Sequence, residues 1–393
     1  MTNTRLRTIL AVLLATAMIA AVSSLIGCTT DGDGDGEKTT ETIKVGVHTS
    51  LTGGLADYGF AAQEGIKLAG DDLTGFEAGD KKYEIELVIK DDKGEPAESP
   101  IVAQQLIDEG VVAVIGALTS GNTNSAQPIY AEAGIPMISG SATRADLVPR
   151  ENFFRTCVGD NIQGKALADW CVELGFEKVA IMDDRGDYAV GLADVVEGHL
   201  TDAGVEVLRE AGQEGDTDFS AQVAKIQAFA PDAVMFTGYH REAGLLYKQC
   251  REAGMADVQF MGGDGIKSDE IADEAGGAAN VEGVLATIGG IPQDSMAGWE
   301  DFKTAYMEAT DKEPGPYAET NHDALVAIVE AIKKGESADP ADILKNLSDV
   351  EVNGVIGTFG FDANGEFEAM GGSAGLATIV RYKIENGAWV SAD

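Results

Sequence analysis

The segment that decides the fold spans residues 111–143 and reads VVAVIGALTSGNTNSAQPIYAEAGIPMISGSAT. It opens on an unbroken apolar run at 111–116, continues through a helical pattern at 122–133, and closes on a second apolar run at 136–139. A strand that is apolar at every position is buried on both faces, as happens in a parallel sheet covered by helices. The segment therefore predicts a strand, a helix and a second strand of one parallel sheet.

The same alternation extends on both sides of this segment and predicts a doubly wound α/β fold. Strand patterns are found at 43–47, 83–91, 111–117, 136–139, 178–183, 205–209, 233–237 and 258–262. Helix patterns lie between them at 60–73, 97–109, 122–133, 161–174, 189–203, 219–229 and 241–253. Because the pattern starts again near residue 176, we predict two similar lobes.

The last hundred residues leave this alternation. Helix patterns follow one another at 295–310, 317–334 and 340–348, and strand patterns close the chain at 355–361, 376–384 and 387–391. We expect this tail to return and complete both sheets, which would join the two lobes by several crossovers.

The N-terminal residues are typical of an export signal. Arg5 and Arg7 precede a long uncharged and mostly apolar stretch, and LIGC at 25–28 resembles a lipobox, in which cleavage leaves a lipid-modified Cys. We predict a signal peptide at 1–27 and lipidation of Cys28. An uncleaved anchor is the alternative, since the apolar stretch has about the ~17–25 residues that cross a bilayer. Residues 28–42 are rich in Asp, Gly and Thr and predict a flexible linker outside the cytoplasm.

Composition excludes several classes of partner. The chain has 393 residues, of which 28 are basic and 66 acidic, for a net charge of −38. Such a surface repels nucleic acid and anionic lipid headgroups. The 44% of hydrophobic residues indicates a folded protein, and the length suits two lobes. Nothing in the sequence calls for more than a monomer.

Cysteines and catalytic motifs give no sign of a metal, a cofactor or an enzyme. If Cys28 carries lipid, the three remaining cysteines allow at most one internal disulfide. Cys171 and Cys250 fall in helix patterns, which predicts small buried side chains. The Asp-Gly repeat at 31–36 lacks the Glu that would complete an EF-hand, since position 42 is Thr. No H-E-x-x-H or G-x-x-x-x-G-K-[ST] motif is present.

Polar and aromatic residues follow the predicted strands, where open α/β sheets bind their ligands. The hydroxyl-bearing residues of the first half are Ser120, Ser141 and Thr143, and the second half supplies Tyr188, Tyr239 and Asp264. Each could by itself be a helix cap or a core residue. Together they offer what an α-amino acid needs: donors for its carboxylate, an acid for its ammonium group, and aromatic faces.

Five segments in order and spacing carry a family resemblance. They are SLTGGLADYG at 50–59, residues 114–143, DDRGDYAVGLA at 183–193, GYHREAG at 238–244, and QFMGGDG at 259–265. From about 43 to 390 the chain resembles the leucine/isoleucine/valine-binding proteins of ABC transporters, which have the type I periplasmic-binding fold. The resemblance implies two lobes that close on a ligand, formed by 43–159 plus 289–371 and by 160–288 plus 372–393.

The resemblance also implies roles for residues of the first lobe. Ser120 and Thr143 would bind the carboxylate and the ammonium group of the ligand, and Ser141 would contribute through its backbone. Tyr58 and Leu118 would line the pocket for the ligand side chain.

Residues of the second lobe would close over the ligand. Tyr188 and Tyr239 would cover it, and Asp264 stands where the family has a Glu that binds the ammonium group. This shorter acid could shift the ligand or favour a different amine or amide. Tyr317 lies near the family's aromatic residue beside the pocket, with a one-residue gap in the match.

The resemblance predicts an extracytoplasmic substrate-binding lipoprotein of an ABC importer. It would sit on the outer face of the cytoplasmic membrane and deliver an amino acid, branched-chain or otherwise apolar, to permease subunits with cytoplasmic ATPases. Short amides or urea, aromatic acids, and a ligand-presenting sensor subunit remain alternatives. The family joins two cysteines across the first lobe, and their positions here are Gly94 and Thr119, so that disulfide is not expected.

Overall fold

The computed structural model describes residues 38–370 and 378–392. The strands are β1 (Thr39–Thr49), β2 (Phe76–Ala78), β3 (Lys81–Asp91), β4 (Ala113–Gly116), β5 (Met137–Ser139), β6 (Phe153–Arg155), β7 (Lys178–Asp183), β8 (Glu206–Ala211), β9 (Ala233–Phe236), β10 (Gln259–Gly262), β11 (Leu285–Gly289), β12 (Val352–Asn353), β13 (Thr358–Phe361), β14 (Phe367–Ala369), β15 (Ile379–Glu385) and β16 (Ala388–Ser391).

The helices connect these strands and cover the sheets. They are α1 (Ala56–Leu73), α2 (Ser99–Asp108), α3 (Ser120–Glu132), α4 (Asp160–Glu173), α5 (Asp187–Asp202), α6 (Ser220–Phe229), α7 (His240–Glu252), α8 (Ile271–Glu274), α9 (Trp299–Thr310), α10 (Ala318–Gly335) and α11 (Pro340–Leu347). Among the residues described, no helix combines the length and the apolar character needed to cross a membrane.

The first sheet has the order β2-β3-β1-β4-β5-β6. All its pairs are parallel except β2 with β3. Its central strands are apolar and buried, with Val45, Val47, Val114 and Ile115 all 0% exposed. The unbroken apolar run that predicted a two-sided parallel strand is therefore β4, and the prediction is confirmed.

The second sheet repeats the first. Its order is β16-β15-β11-β10-β9-β7-β8. In both sheets the five parallel strands, numbered by their appearance, lie in the order 2-1-3-4-5, so the strand order reverses beside the first strand. The predicted restart near residue 176 is confirmed, because β7 begins the second sheet at Lys178.

The tail ties the lobes together in a way that differs in part from the prediction. Helices α9, α10 and α11 pack with β1 in the core of the first lobe, and β15 and β16 complete the second sheet. On the first-lobe side, however, the described part of the tail adds no strand to the large sheet. It forms a separate antiparallel sheet, β12-β13-β14, which packs through Phe359 and Phe361 against the same core.

Boundaries differ most at the start of the fold. Strand β1 begins at Thr39, inside the segment 28–42 that was predicted to be a flexible linker. The last four residues of that segment, 39–42, pair instead with the first four residues of β3, 81–84. Several short strands were not predicted: β2, β6, β11, β12 and β14. Strands of two to five residues show too little periodicity to be distinguished from loops and are fixed by their pairing partners.

The described cysteines are all free and buried: Cys157, Cys171 and Cys250. Burial was predicted for Cys171 and Cys250 and is confirmed, and burial raises the pKa of each of these two thiols to about 12. The internal disulfide that three cysteines would allow is not formed. Cys28 and the leader lie outside the described residues.

Candidate functional site

A pocket at the carboxyl ends of both parallel sheets collects the residues predicted from the sequence. The empty space within it, including the solvent at its mouth, is ≈ 330 Å³. The nine predicted ligand residues that line it are Tyr58, Leu118, Ser120, Ser141, Thr143, Tyr188, Tyr239, Asp264 and Tyr317. The structure thus brings them together, whereas their ligand contacts stay predictions.

Asp264 is the centre of a tyrosine cluster drawn from both lobes. Its carboxylate accepts a hydrogen bond from the Tyr188 hydroxyl at 2.9 Å and another from the Tyr317 hydroxyl. From α1 of the first lobe, Tyr58 donates to the backbone carbonyl of Gly265 at 3.2 Å. Burial raises the pKa of Asp264, and the two tyrosine hydrogen bonds only partly offset that effect.

The backbone of Tyr317 shows why this side chain reaches the acid. Tyr317 precedes α10 and has φ +68°, in the left-handed region that is unfavourable for a residue with a Cβ. Such conformations cost about 1–3 kcal/mol and cluster at functional sites. Here the turn sends a first-lobe aromatic side chain across the pocket to Asp264.

Ser120 provides a donor at the opposite side of the pocket. It begins α3, and Thr119 caps that helix by accepting from the Asn122 N–H at 3.1 Å. The Ser120 hydroxyl oxygen accepts from the Arg144 N–H at 3.2 Å, which leaves its own hydrogen free to be donated. First-turn N–H groups lack intrahelical partners and favour an anion.

Ser141 and Thr143 offer different groups to the pocket. The Ser141 hydroxyl donates to the Leu118 carbonyl at 2.7 Å, so it is engaged within the protein and only the backbone of Ser141 remains for a ligand. The Thr143 hydroxyl is buried without a hydrogen-bond partner of ordinary geometry. It is therefore available to a bound molecule.

Asp160 is a buried acid near Asp264 that sequence reasoning missed, and it lies outside the set of residues that line the pocket. It is 0% exposed, and neither of its carboxylate oxygens has a hydrogen-bond partner of ordinary geometry. Burial raises the pKa of Asp160 to about 8, and the charge of Asp264 contributes in the same direction. The nearby Thr143 hydroxyl lowers this pKa and so offsets part of the increase. Asp160 and Asp264 together form a buried acidic pair that lacks a cation.

The buried Arg155 is not that cation, because its charge is already used. Its guanidinium pairs with Glu366, with Nε 2.7 Å from the carboxylate. It also donates to the carbonyls of Thr143 at 2.8 Å and Arg144 at 2.9 Å. Arg155 thus fixes the loop that carries Thr143 and connects it to the small antiparallel sheet.

The signal that could have found these residues is the strand-end rule itself. Asp160 and Arg155 lie at or after β6, a three-residue strand that the sequence pattern did not predict. With β6 recognised, residues 156–160 would have been inspected as a strand end. Leu55, Thr119 and Gly265 also line the pocket and lie inside segments already singled out.

Apolar side chains and aromatic rings also line the pocket. Leu55, Tyr58, Leu118 and Tyr317 belong to one cluster of buried hydrophobic residues, against which Tyr239 packs. Among the described residues that line the pocket, none is basic. The site therefore combines polar groups and one or two negative charges with uncharged apolar surface.

Comparison with known proteins gives a consistent result. Residues 42–379 match the family model of the periplasmic binding proteins. An amino acid binding protein of Pseudomonas aeruginosa is 34% identical over 356 residues, which cover 88% of this chain and 91% of that protein.

Solved structures agree in fold. The crystal structure of the leucine-binding protein LivK from Thermotoga maritima has a TM-score of 0.80 and 29% identity, covering 89% of this chain and 98% of that one. The branched-chain amino acid transporter substrate-binding protein LivJ from Streptococcus pneumoniae, solved in complex with isoleucine, has a TM-score of 0.77 and 30% identity, covering 90% and 99%.

Proposed function

This chain belongs to the periplasmic binding protein family, and on that premise we propose that it captures a single amino acid with an apolar side chain for an ABC importer. The ligand would lie in the pocket between the two lobes. The permease, with its cytoplasmic ATPases, would receive the amino acid from the closed protein.

The observation that carries this proposal is the unsatisfied acid beside Asp264. Buried polar groups are almost always hydrogen-bonded, and buried charges are paired. The Asp160 carboxyl and the Thr143 hydroxyl lie next to each other, and neither has a further hydrogen-bond partner. A ligand ammonium group would supply up to three N–H donors and the positive charge that the pair of acids lacks.

The other groups of the pocket suit the rest of an amino acid. Ser120 and the first turn of α3 offer donors for a carboxylate, and the backbone of Ser141 adds to them. The cluster that contains Leu55 and Leu118 would receive an aliphatic side chain. A pocket without a basic residue does not suit an acidic side chain, and its small volume suits one residue better than a peptide.

A short amide or urea is the second ligand class, and it fits less well. An amide can donate N–H groups to Asp264, but it brings no positive charge to balance the acids. It also has no carboxylate to use the donors at Ser120. The identity of Asp264, one methylene shorter than the Glu of the branched-chain binding proteins, leaves room for a ligand that differs in detail.

Closure follows from contacts that only the closed form makes. We take the first lobe as 43–159 plus 289–371, with β1 extending it to residue 39, and the second lobe as 160–288 plus 372–393. Tyr58 and Tyr317 of the first lobe hydrogen-bond to residues 264–265 of the second. A ligand shifts the equilibrium towards closure only by its differential affinity for the closed state. Contact with acids and tyrosines of both lobes at once supplies that difference.

We also propose that the protein is held at the outer face of the cytoplasmic membrane by lipid on Cys28, as a monomer. Substituting Cys28→Ala should release the chain from membranes and abolish its labelling by an alkyne-tagged fatty acid in cells. Continued labelling of that variant would overturn the lipidation site, since Cys157, Cys171 and Cys250 are buried.

Isothermal titration with leucine and with two truncated analogues tests the ligand class. We expect saturable binding of leucine, and at least tenfold weaker binding of 4-methylpentanoate, which lacks the ammonium group, and of isopentylamine, which lacks the carboxylate. Isoleucine and valine should bind comparably to leucine.

Two outcomes would overturn the proposal. Equal affinity for leucine and 4-methylpentanoate would show that Asp160 and Asp264 do not bind an ammonium group of the ligand. If the protein bound acetamide or urea but no amino acid, the proposed transport role would stand, but the ligand would be an amide or urea and not an amino acid.

A further inference from the structure

A second cluster of ligating side chains lies outside the pocket, where the two lobes meet. Asp57 comes from the first turn of α1 in the first lobe, and His240 is the first residue of α7 in the second. Glu270 precedes α8, also in the second lobe. One donor atom from each of the three lies within 4.8 Å of the other two.

The imidazole of His240 is buried but not satisfied. The residue is 1% exposed, and its Nδ1 is buried without a hydrogen-bond partner. Its Nε2 lies 3.9 Å from the Glu270 carboxylate, which is too long for a hydrogen bond. The ring is held in place by stacking on Tyr58, with centroids 5.6 Å apart.

Asp57 also has an oxygen to spare. Its Oδ2 accepts from the Ser268 hydroxyl at 2.9 Å, a contact between the lobes, while its Oδ1 is buried without a partner. Glu270 completes the set from a side chain that is 59% exposed and free to adjust its position. His240 and Asp57 thus each have one buried atom without a hydrogen-bond partner, and the carboxylate of Glu270 beside them is exposed.

We propose that Asp57, His240 and Glu270 bind one divalent transition-metal ion of the Zn²⁺ type between the lobes. One imidazole nitrogen and two carboxylate oxygens are a zinc-type donor set, with solvent as the fourth ligand. Donors in a tetrahedral zinc site are separated by about 3.3 Å, so the cluster needs to contract by no more than about 1.5 Å. Calcium and magnesium prefer oxygen ligands alone and suit the cluster less well.

Charges around the cluster favour a cation at neutral pH. Three carboxylates, those of Asp57, Glu270 and Glu274, act electrostatically on His240. Arg241, adjacent in sequence, is a basic neighbour whose charge works against a cation at this place. The ligands come from both lobes, so a bound ion favours the closed form.

Titration of ZnCl₂ into the full chain by calorimetry tests the proposal, with excess MgCl₂ present to occupy weak acidic surface sites. We expect one zinc ion per chain and, in Glu270→Gln and His240→Gln, an affinity at least about tenfold lower. Glu274→Gln is the matched control, since it removes the same charge nearby but not a ligand, and it should bind zinc as the parent chain does.

Equal zinc affinity in Glu270→Gln and the parent chain would overturn the site, as would the absence of a saturable zinc isotherm. Because Glu270 is exposed, its variant folds normally, and thermal unfolding of each variant verifies this. The tests so far do not depend on the amino acid ligand. A further readout does rest on the proposed function: zinc should tighten leucine binding, and leucine should tighten zinc binding by the same factor.

Discussion

Asp92, which follows β3, and Asp160, which begins α4, are both 0% exposed, yet their surroundings are opposite. Asp92 accepts hydrogen bonds from the Ser50 hydroxyl at 2.7 Å and from the Gly94 N–H at 3.0 Å. Nε2 of His48 lies 3.1 Å from its other oxygen. Asp160 has no hydrogen-bond partner of this kind.

The two pKa values record this difference. Burial would raise the pKa of Asp92, but hydrogen bonds and charge from His48, with further bonds from Ser50, outweigh it and lower the pKa to about 2. At Asp160 burial and the charge of Asp264 prevail, and the pKa rises to about 8. At equal burial, Asp92 is therefore stabilised as a carboxylate, whereas Asp160 holds its proton up to a much higher pH.

The comparison separates a structural acid from a binding acid. Asp92 is satisfied by residues of its own lobe, so it stabilises the ends of β1 and β3 without any ligand. The surroundings of Asp160 are incomplete until something cationic enters. A site that must bind and release its ligand leaves part of its hydrogen bonding to that ligand, and the free protein is less stable for it.

The largest expected effect concerns the cleft acids. Asp264→Asn should weaken leucine binding by ~2–5 kcal/mol, because the ligand ammonium group loses a desolvated charge partner. Titration calorimetry measures it, and Glu214→Gln, which neutralises an acid outside the pocket, is the control. Unchanged affinity in Asp264→Asn would remove this residue from the site and leave the acidic pair without a ligand role.

The same substitution at the two compared positions should change stability in opposite directions. Asp92→Asn should lower the free energy of unfolding by about 3 kcal/mol, because it breaks a hydrogen-bonded buried charge. Asp160→Asn should raise that of the ligand-free chain by about 1 kcal/mol, because it removes a carboxyl group that must take up a proton to be buried. Urea denaturation measures both, and a loss of stability in both variants would contradict the comparison.

Most of this fold could be predicted from sequence because its strongest signals are local. Strand β7 was predicted at its observed bounds, and the α4 and α7 patterns were within one residue, since each combines an apolar period with a clear stop. Strand β6 was not predicted, because a segment of three residues, two Phe and one Arg, is too short to show a period. Its pairing with β5 fixes it, and that is a tertiary contact.

The candidate site was predictable in its members but not in its electrostatics. Strand ends and the resemblance gave the nine pocket residues. Neither could show that Tyr188 and Tyr317 both bind Asp264, because these residues come from three distant parts of the chain. Nor could they show that Asp160 lacks a partner, since an unsatisfied group is a property of the packed interior alone.

The pH dependence of the ligand-free protein offers a smaller test of the same contrast. Burial also raises the pKa of Glu319 and Glu214 to about 7 and that of Asp184 to about 6. From about pH 5 the unfolded state has lost these protons, while the folded state holds the Asp184 proton up to about pH 6 and the two Glu protons up to about pH 7, so stability should fall as pH rises through this range. Each retained proton contributes about 1.4 kcal/mol per pH unit.

Asp160→Asn sharpens this test, because it removes one of the retained protons. Its stability should depend less steeply on pH than that of the parent chain, by up to one proton, in denaturation series at fixed ionic strength. The pKa of Asp92 is about 2, so Asp92 contributes stability that is lost only below about pH 4 and leaves this window unchanged. A slope that does not change in Asp160→Asn would contradict the assignment of a retained proton to that residue.

The smallest expected effect concerns the aromatic cover of the pocket. Tyr239 packs against Tyr188 with ring centroids 5.2 Å apart and is itself only partly buried. Tyr239→Ala should weaken leucine binding by about 1 kcal/mol, since a cation–π contact at a partly exposed site is worth about that much. Tyr239→Phe keeps the ring and should bind leucine as the parent chain does. If Phe lost as much affinity as Ala, the hydroxyl and not the ring would be the contact, and recognition of the ammonium group would rest on the acids alone.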